Sequence, residues 1–320
     1  MKVFVMLGNG CNLHCRYCVQ HSLVTHSIPT KISNKFWNFF YALKPGTHIT
    51  FYGGEPLVYF PAIKEIVCRR SDLEYGMPSN CKLLNEEMVH FFNDHNVTIT
   101  VSWDGSASSY TRGYDVFKDN RENIEKLNKF NIGSVISRAS PLGDLFRDVR
   151  EYFPNKDIYV IVNPILNNGL EDESLVHMNH EQLYKDTMQL LHMYDEGTAN
   201  FSERAFIEYH LYWAMRHIVD GQYGDKCGNG RCTLNVDLNG NMYNCHNIST
   251  PGVYSEEWDK TIARQKSDKC RKCKVEPFCM GGCPLTKEED MEPWCKNELA
   301  FHGAFVDWLQ AKREVNNAKA

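Results

Sequence analysis

Three cysteines near the start of the chain, Cys11, Cys15 and Cys18, are separated by three and then two residues. One tight loop with that spacing can bring three thiolates to a single iron–sulfur cluster. A 4Fe–4S cube takes four ligands, so three cysteines leave one iron open to an exogenous chelator. A structural zinc site takes four protein ligands, and His14 inside the loop is available as the fourth. Spacing alone leaves both metals open.

The chain has 320 residues and 13 cysteines. Eight of these fall within residues 227–295, and only Cys68 and Cys81 stand apart from the two groups. In a chain this long without an export signal, grouped cysteines point to metal rather than to disulfides. The apolar start, Met1 to Leu7, is about one strand long and lacks the cleavage site of a signal peptide. No uncharged stretch reaches the ~18 residues of a membrane span. With a formal net charge of −5, nothing resembles a nucleic-acid footprint. The expectation is a cytoplasmic protein with no nucleic-acid or membrane partner.

The elements that must position the first loop follow from periodicity. Strands are expected at 3–8, 48–52, 73–78, 97–103, 132–138 and 158–163, and helices at 33–44, 61–70, 85–95, 119–130 and 143–153. Asn85 followed by Glu86 and Glu87 supplies a helix cap and first-turn acids. Such alternation with short loops means parallel strands joined by right-handed crossovers. Six β/α units in residues 1–165 give an α/β fold with a partial (β/α)6 barrel of the TIM type.

A helical connector is expected over 166–225, with helices at about 180–195 and 203–220. Residues 226–320 then form a small Cys-rich domain. It contains a β-hairpin (234–238 and 242–245) turned by Asn239-Gly240, and a closing helix at 298–312.

Barrel enzymes place their chemistry at the C-terminal ends of strands. There this chain has Tyr52-Gly53-Gly54-Glu55-Pro56 after strand two and Ser102-Trp103-Asp104-Gly105 after strand four, with Ser137 and Arg138 closing strand five. The Cys11–Cys18 loop, with Tyr17 before its last cysteine, resembles the signature of the radical S-adenosylmethionine (SAM) superfamily. The Gly-Gly-Glu-Pro and Ser-x-Asp-Gly segments resemble two further motifs of that family. The resemblance implies a 4Fe–4S cluster whose open iron binds SAM. It also implies cofactor contacts from Tyr17, Gly53, Gly54, Glu55, Ser102, Asp104, Ser137 and Arg138. Glu55 would pair with the SAM ammonium group, and Ser137 and Arg138 would meet its ribose and carboxylate.

Cys227-x12-Gly240-x4-Cys245, Cys270-x2-Cys273-x5-Cys279-x3-Cys283 and Cys295 resemble the SPASM-domain pattern of peptide-modifying maturases, and Cys232 adds an eighth cysteine. By resemblance to anaerobic sulfatase-maturing enzymes, Cys227, Cys232, Cys245 and Cys283 would hold one auxiliary 4Fe–4S cluster. Cys270, Cys273, Cys279 and Cys295 would hold another, making three clusters in all. A pair of zinc ribbons is the alternative use of the Cys-x2-Cys spacing.

The implied activity is hydrogen-atom abstraction from a peptide or protein residue, ending in oxidation or a crosslink. The implied partners are a flavodoxin- or ferredoxin-type electron donor and a separate leader-peptide recognition protein. Two departures bear on this. His246 stands where sulfatase maturases carry an aspartate base, and it can act as base or as a hydrogen-bond donor. Cys81, after Ser79-Asn80, replaces a glycine common in relatives, as a hydrogen-atom donor for a peptide epimerase or as a small residue without a role. Small-molecule dehydrogenation is a further enzymatic alternative. An electron-transfer protein is the non-enzymatic one, and it leaves the Gly-Gly-Glu-Pro turn without a purpose.

Overall fold

A computed structural model describes residues 1–23, 26–166, 170, 172–220, 233–248, 268–283, 285–286 and 291–319. Cys227 and Cys232 lie outside these residues. The chain divides into two compact units. One comprises Met1–Ser134, Gly169–Glu171 and Cys227–Ser255, and the other Val135–Asn168, Asp172–Lys226 and Glu256–Ala320.

In the first unit β1 (Lys2–Met6), β2 (His48–Tyr52), β3 (Glu74–Ser79), β4 (Thr98–Ser102) and the start of β5 (Phe130–Ile136) pair in parallel, each with the next. Parallel pairing places partners side by side on one face, and each strand alternates between faces. One face therefore collects Val3, Val5, Ile49, Phe51, Met77, Ile99 and Val101, all buried. The opposite face carries Thr50, Tyr52, Thr98 and Thr100 in the same registers. That face also carries the buried Phe4 and Met6, so one surface of the sheet is apolar and the other mixes polar and apolar groups.

The helices follow the sequence reading closely in this unit. Ser33 caps Asn34–Tyr41, and Asn85 caps Glu86–Asp94 by accepting from Met88 N at 3.0 Å. The helix expected over 119–130 is instead two short ones, Val116–Asp119 and Arg121–Glu125. Asn120 separates them with a non-helical backbone (φ −143, ψ 27), and its side-chain amide donates to the carbonyls of Cys81 and Leu84 at 2.7 and 2.9 Å. The strand that follows consequently starts at Phe130, two residues ahead of the expected 132.

The hairpin holds a further difference. Its first strand, β7 (Thr233–Asp237), pairs in parallel with β1 from Lys2↔Thr233 to Met6↔Asp237. Its second, β8 (Met242–Tyr243), runs antiparallel to β7. The hairpin thus extends the main sheet rather than standing in a separate domain. Buried Asp237 makes the turn: its carboxylate accepts from the Asn239 and Asn241 amides and from the Tyr243 hydroxyl.

The second unit holds the sixth strand, β6 (Val160–Pro164), and is otherwise mainly helical. Helices His180–Asp195 and Phe201–Asp220 lie where the sequence places them. The closing helix is longer than expected, Met291–Lys319. It is fastened to the helix of residues 180–195 by Trp308 Nε1 donating to Asp195 at 2.8 Å and by Tyr184 OH donating to Asp307 at 3.1 Å. The whole is a mixed α/β fold with an open, mostly parallel sheet.

Candidate functional site

The Cys11–Cys18 loop leaves β1 at its C-terminal end and is held from three sides. The turn after β2 holds it first, with Gly54 N donating to Gly8 O at 3.0 Å and Glu55 N to Gly10 O at 2.8 Å. The segment after β3 follows, where Asn80 Nδ2 donates to Asn12 Oδ1 at 2.8 Å. The segment after β4 completes the hold, with Arg16 N donating to Thr111 O at 2.9 Å and Arg16 Nε to Tyr110 O at 3.0 Å. Cys11 is exposed, and Cys15 and Cys18 are half-buried.

The glycines at 53 and 54 serve this loop-to-loop contact. A Cβ on Gly53 would lie 2.3 Å from Gly8 O, and one on Gly54 2.3 Å from Gly10 O, both against backbone. Gly53 also has φ +150, where a side chain is strained. The sequence reading assigned these glycines to close approach of a ligand; the close approach seen is between two turns of the chain.

Glu55 is 2% exposed. Its Oε1 accepts from Leu57 N at 3.0 Å and Ser79 Oγ at 2.7 Å, and its Oε2 from Asn80 N at 2.8 Å. Burial, only partly offset by these bonds, pushes its carboxyl above the usual range. A carboxylate has about four lone-pair sites, so acceptor capacity remains beyond the three bonds.

Asp104 is the hub of the site. Arg112 grips it through Nε at 2.9 Å and Nη2 at 2.8 Å, Thr111 Oγ1 donates to it at 2.7 Å, Ser134 Oγ at 3.2 Å, and so does Tyr17 OH. The carboxylate expected to touch a cofactor is thus committed to holding Tyr17, and with it the third cysteine. Burial works against the Arg112 cation, but Asp104 beside it holds the Arg112 pKa above its ordinary value. Arg112, Thr111 and Ser134 were not singled out from sequence. An Arg eight residues after an Asp carries no periodic signal, and the pairing depends on how the loop folds back.

Ser102 ends β4, half-buried, beside Gly133. Ser137 and Arg138 belong to the second unit. The buried Ser137 hydroxyl accepts from the Ala139 and Ser140 amides at 3.2 Å, making a local turn, and Arg138 is exposed.

Cys81 is fully buried, with φ +55. Its thiol lies 3.6 Å from Ser79 O, its N–H donates to Ser79 Oγ at 2.9 Å, and burial pushes its pKa far up. The left-handed backbone explains why glycine suits this position. His246 stacks on Phe4 at 4.0 Å and meets the Tyr52 ring edge-on at 4.4 Å. Desolvation, with Lys2 adding to it, pushes His246 down to about 3, so its ring is neutral. Its Nδ1 is buried and without a hydrogen-bond partner.

The donor set fits an iron–sulfur cluster. Desolvation raises all three thiols, Cys15 to about 12. The loop alone therefore does not stabilise thiolates, and a metal centre would. Asn12 Nδ2 in the same loop is buried with no acceptor. Among the described residues no three His, Cys, Asp or Glu side chains converge to hold one ion; a cube instead takes each thiolate on a different iron. In the second unit, burial pushes the Cys295 thiol up, and the nearby Cys270 and Cys273 add to the effect. Cys279 ends the short helix Glu276–Cys279, beyond which Met280 and Gly282 take left-handed backbone.

Residues 5–153 match the Radical SAM superfamily. The match covers just under half of the chain, and that family implies a 4Fe–4S cluster and SAM. Its relatives include the cysteine-type anaerobic sulfatase-maturating enzyme of Clostridium novyi (strain NT), 20% identical over 362 residues, spanning 97% of this chain and 95% of the relative. Among solved structures, native anSMEcpe with bound AdoMet and Cp18Cys peptide superposes with a TM-score of 0.68 at 16% identity, covering 98% and 99% of the two chains. Streptococcus suis SuiB bound to precursor peptide SuiA gives 0.62 at 15% identity, covering 88% of this chain and 71% of SuiB. No helix among the described residues is long and apolar enough to cross a membrane.

Proposed function

We propose that this chain modifies a peptide or protein substrate by radical chemistry, with oxidation or crosslinking as the outcome. The observation that carries the reading is the Cys11–Cys18 loop, fixed at once to the ends of β2, β3 and β4. Both similar structures bound to a peptide support a peptide substrate.

Cys11, Cys15 and Cys18 would hold the cluster that binds SAM. With both bound, the chemistry supplied is abstraction of a hydrogen atom from unactivated substrate carbon. The chain's own residues make that site specific. Glu55 offers its remaining acceptor capacity to the SAM ammonium. Tyr17 and Asp104 hold the loop in place, and Gly53 and Gly54 let the turn after β2 close on it. Ser102 stands at the rim for a cofactor hydroxyl. Ser137 and Arg138 are assigned to the SAM ribose and carboxylate by resemblance alone. His246, neutral and stacked, presents a ring nitrogen for hydrogen bonding rather than a base that takes up a proton.

Cys227, Cys232, Cys245 and Cys283 are assigned to one auxiliary 4Fe–4S cluster, and Cys270, Cys273, Cys279 and Cys295 to a second. Complete ligation by thiolates leaves no iron open, which suits electron acceptance from the substrate rather than substrate binding. A flavodoxin- or ferredoxin-type donor and a separate leader-recognition protein complete the proposed system, in the cytoplasm. Peptide epimerisation with Cys81 as donor is disfavoured by the burial of its thiol against Ser79 O.

The test is anaerobic reconstitution followed by reduction with SAM present. Formation of 5′-deoxyadenosine and about twelve irons per chain are expected for three cubes. Stoichiometric zinc in place of iron would overturn the reading.

A further inference from the structure

A buried sulfur in the first unit has a hydrogen-bond donor aimed at it. Cys245, just beyond β8, is 4% exposed. The chain turns directly after it, with Ile248 N donating to Cys245 O at 3.3 Å and Asn247 N donating to Cys245 Sγ at 3.4 Å. A charged acceptor makes the stronger hydrogen bond, so an amide directed at sulfur favours the anionic, metal-binding form of a cysteine. Cys245 therefore fits a ligand role in the first auxiliary cluster.

The turn is fastened on both sides of the cysteine. Ahead of it, Asn235 Nδ2 on β7 donates to the carbonyls of Tyr243 and Asn244 at 3.2 and 3.3 Å. Beyond it, Asn247 Oδ1 accepts from Tyr52 OH at 2.8 Å. Tyr52 is the last residue of β2 and directly precedes Gly53. The second fastening thus comes from the strand end that carries the Gly-Gly-Glu-Pro turn. The Tyr52 hydroxyl holds the side chain of Asn247, and the backbone amide of the same residue contacts the Cys245 sulfur.

We propose that Tyr52 is a positioning residue for the auxiliary cluster assigned to Cys245. Through Asn247 it holds the N–H···S bond in place and so keeps the reduction potential of that centre raised. The inference rests on the proposed role of Cys245 as a ligand. Hydrogen bonds to ligand sulfur are among the means by which a protein sets such potentials, since they favour the more electron-rich, reduced state. The potential of the proposed electron acceptor is thereby tied to the strand end that positions the turn after β2.

The test is a redox titration of the reconstituted holoenzyme followed by EPR, with the SAM-responsive signal as internal reference. The auxiliary signal is identified as the one lost in Cys245→Ala. Tyr52→Phe keeps the ring that meets His246 edge-on at 4.4 Å and removes only the hydroxyl. It is expected to move the auxiliary midpoint to a more negative potential, and the SAM-responsive midpoint less. Asn247→Ala removes the acceptor of that hydroxyl and is expected to shift the auxiliary midpoint in the same direction. The double variant should shift it no further than the larger single change, because both substitutions break one contact. An unmoved or positively shifted auxiliary midpoint in Tyr52→Phe, equal shifts of both signals, or additive shifts in the double variant would each overturn the proposal. If Cys245→Ala removes no signal and leaves the iron content unchanged, the ligand assignment itself fails, and this inference with it.

Discussion

The carboxylate of Glu55 accepts a hydrogen bond from the Ser79 hydroxyl at 2.7 Å, so the acid of the turn after β2 is fastened to the end of β3. With the Asn80 amide on its second oxygen at 2.8 Å, Glu55 joins two strand ends in addition to its proposed contact with SAM. Its loss therefore reaches stability as well as binding.

Glu55→Gln retains one acceptor oxygen but turns an N–H toward the Asn80 amide. A donor facing a donor inside the protein is expected to cost about 1–3 kcal/mol, read as a lower urea midpoint. The pH dependence has a definite sign. Because burial raises the folded-state pKa, the folded chain holds this proton more tightly than the unfolded chain. Glu55 thus favours folding below the ordinary glutamate value of about 4.3. That contribution is lost as pH rises through the raised value and is flat above it. Denaturation measured across this window should show the corresponding slope in wild type and lack it in Glu55→Gln. The proposed pairing of Glu55 with the SAM ammonium predicts the opposite trend for SAM affinity, rising with pH as the carboxylate forms, and equilibrium binding checks it.

At Cys81 the comparison is between two small replacements. Alanine keeps a Cβ at φ +55, whereas glycine removes it. The left-handed conformation costs an ordinary residue roughly 1–2 kcal/mol, and glycine's greater unfolded freedom takes back about 0.4–1 kcal/mol. Cys81→Gly should therefore be as stable as Cys81→Ala or more so by about 1 kcal/mol, measured by chemical denaturation. Both variants should still form product, since the thiol is buried against Ser79 O. Abolished product with retained 5′-deoxyadenosine formation would restore the hydrogen-donor reading.

Gly54 is where a single methyl group should disconnect the site. In Gly54→Ala the new Cβ meets the Gly10 carbonyl oxygen at 2.3 Å, and backbone on both sides cannot rotate away. The two turns must separate, at a cost of about 1–3 kcal/mol typical of overpacking. The expected result is lower iron incorporation at the first site, read by chemical iron analysis and by loss of the SAM-responsive EPR signal.

The strands and the cysteine loop were legible because local periodicity and spacing encode them: β2, β3 and β4 lie within a residue of their expected ends. The long helix expected over 119–130 was not legible as two pieces. Its interruption at Asn120 serves carbonyls some forty residues earlier, and no local pattern records such a bond. The same holds for Asp104, whose motif is visible while its partner Arg112 is not. The Asn239-Gly240 hairpin was recognised from its turn residues, but its edge-on pairing with β1, more than two hundred residues away, is a non-local choice. Glycines 53 and 54 were recognised as close-approach residues, with the approaching group supplied by the chain itself.

The last prediction concerns Cys295, whose thiol lies among those of Cys270 and Cys273 in the second unit. Cys295→Ala removes one of four proposed ligands from a site remote in sequence from the SAM loop. If the C-terminal cysteines hold a cube, iron content should fall by up to about four atoms per chain. Reductive cleavage of SAM should survive, because Cys11, Cys15, Cys18 and the Asp104–Arg112 pair are untouched. Product formation should not survive if the substrate radical must give its electron to this centre. The measurement pairs 5′-deoxyadenosine quantification with mass spectrometry of the peptide. Unchanged iron would remove the second auxiliary centre from the account, whereas lost iron with undiminished product would leave a centre that only stabilises the fold. Uncoupled SAM cleavage with iron loss is the outcome the electron-acceptor role requires.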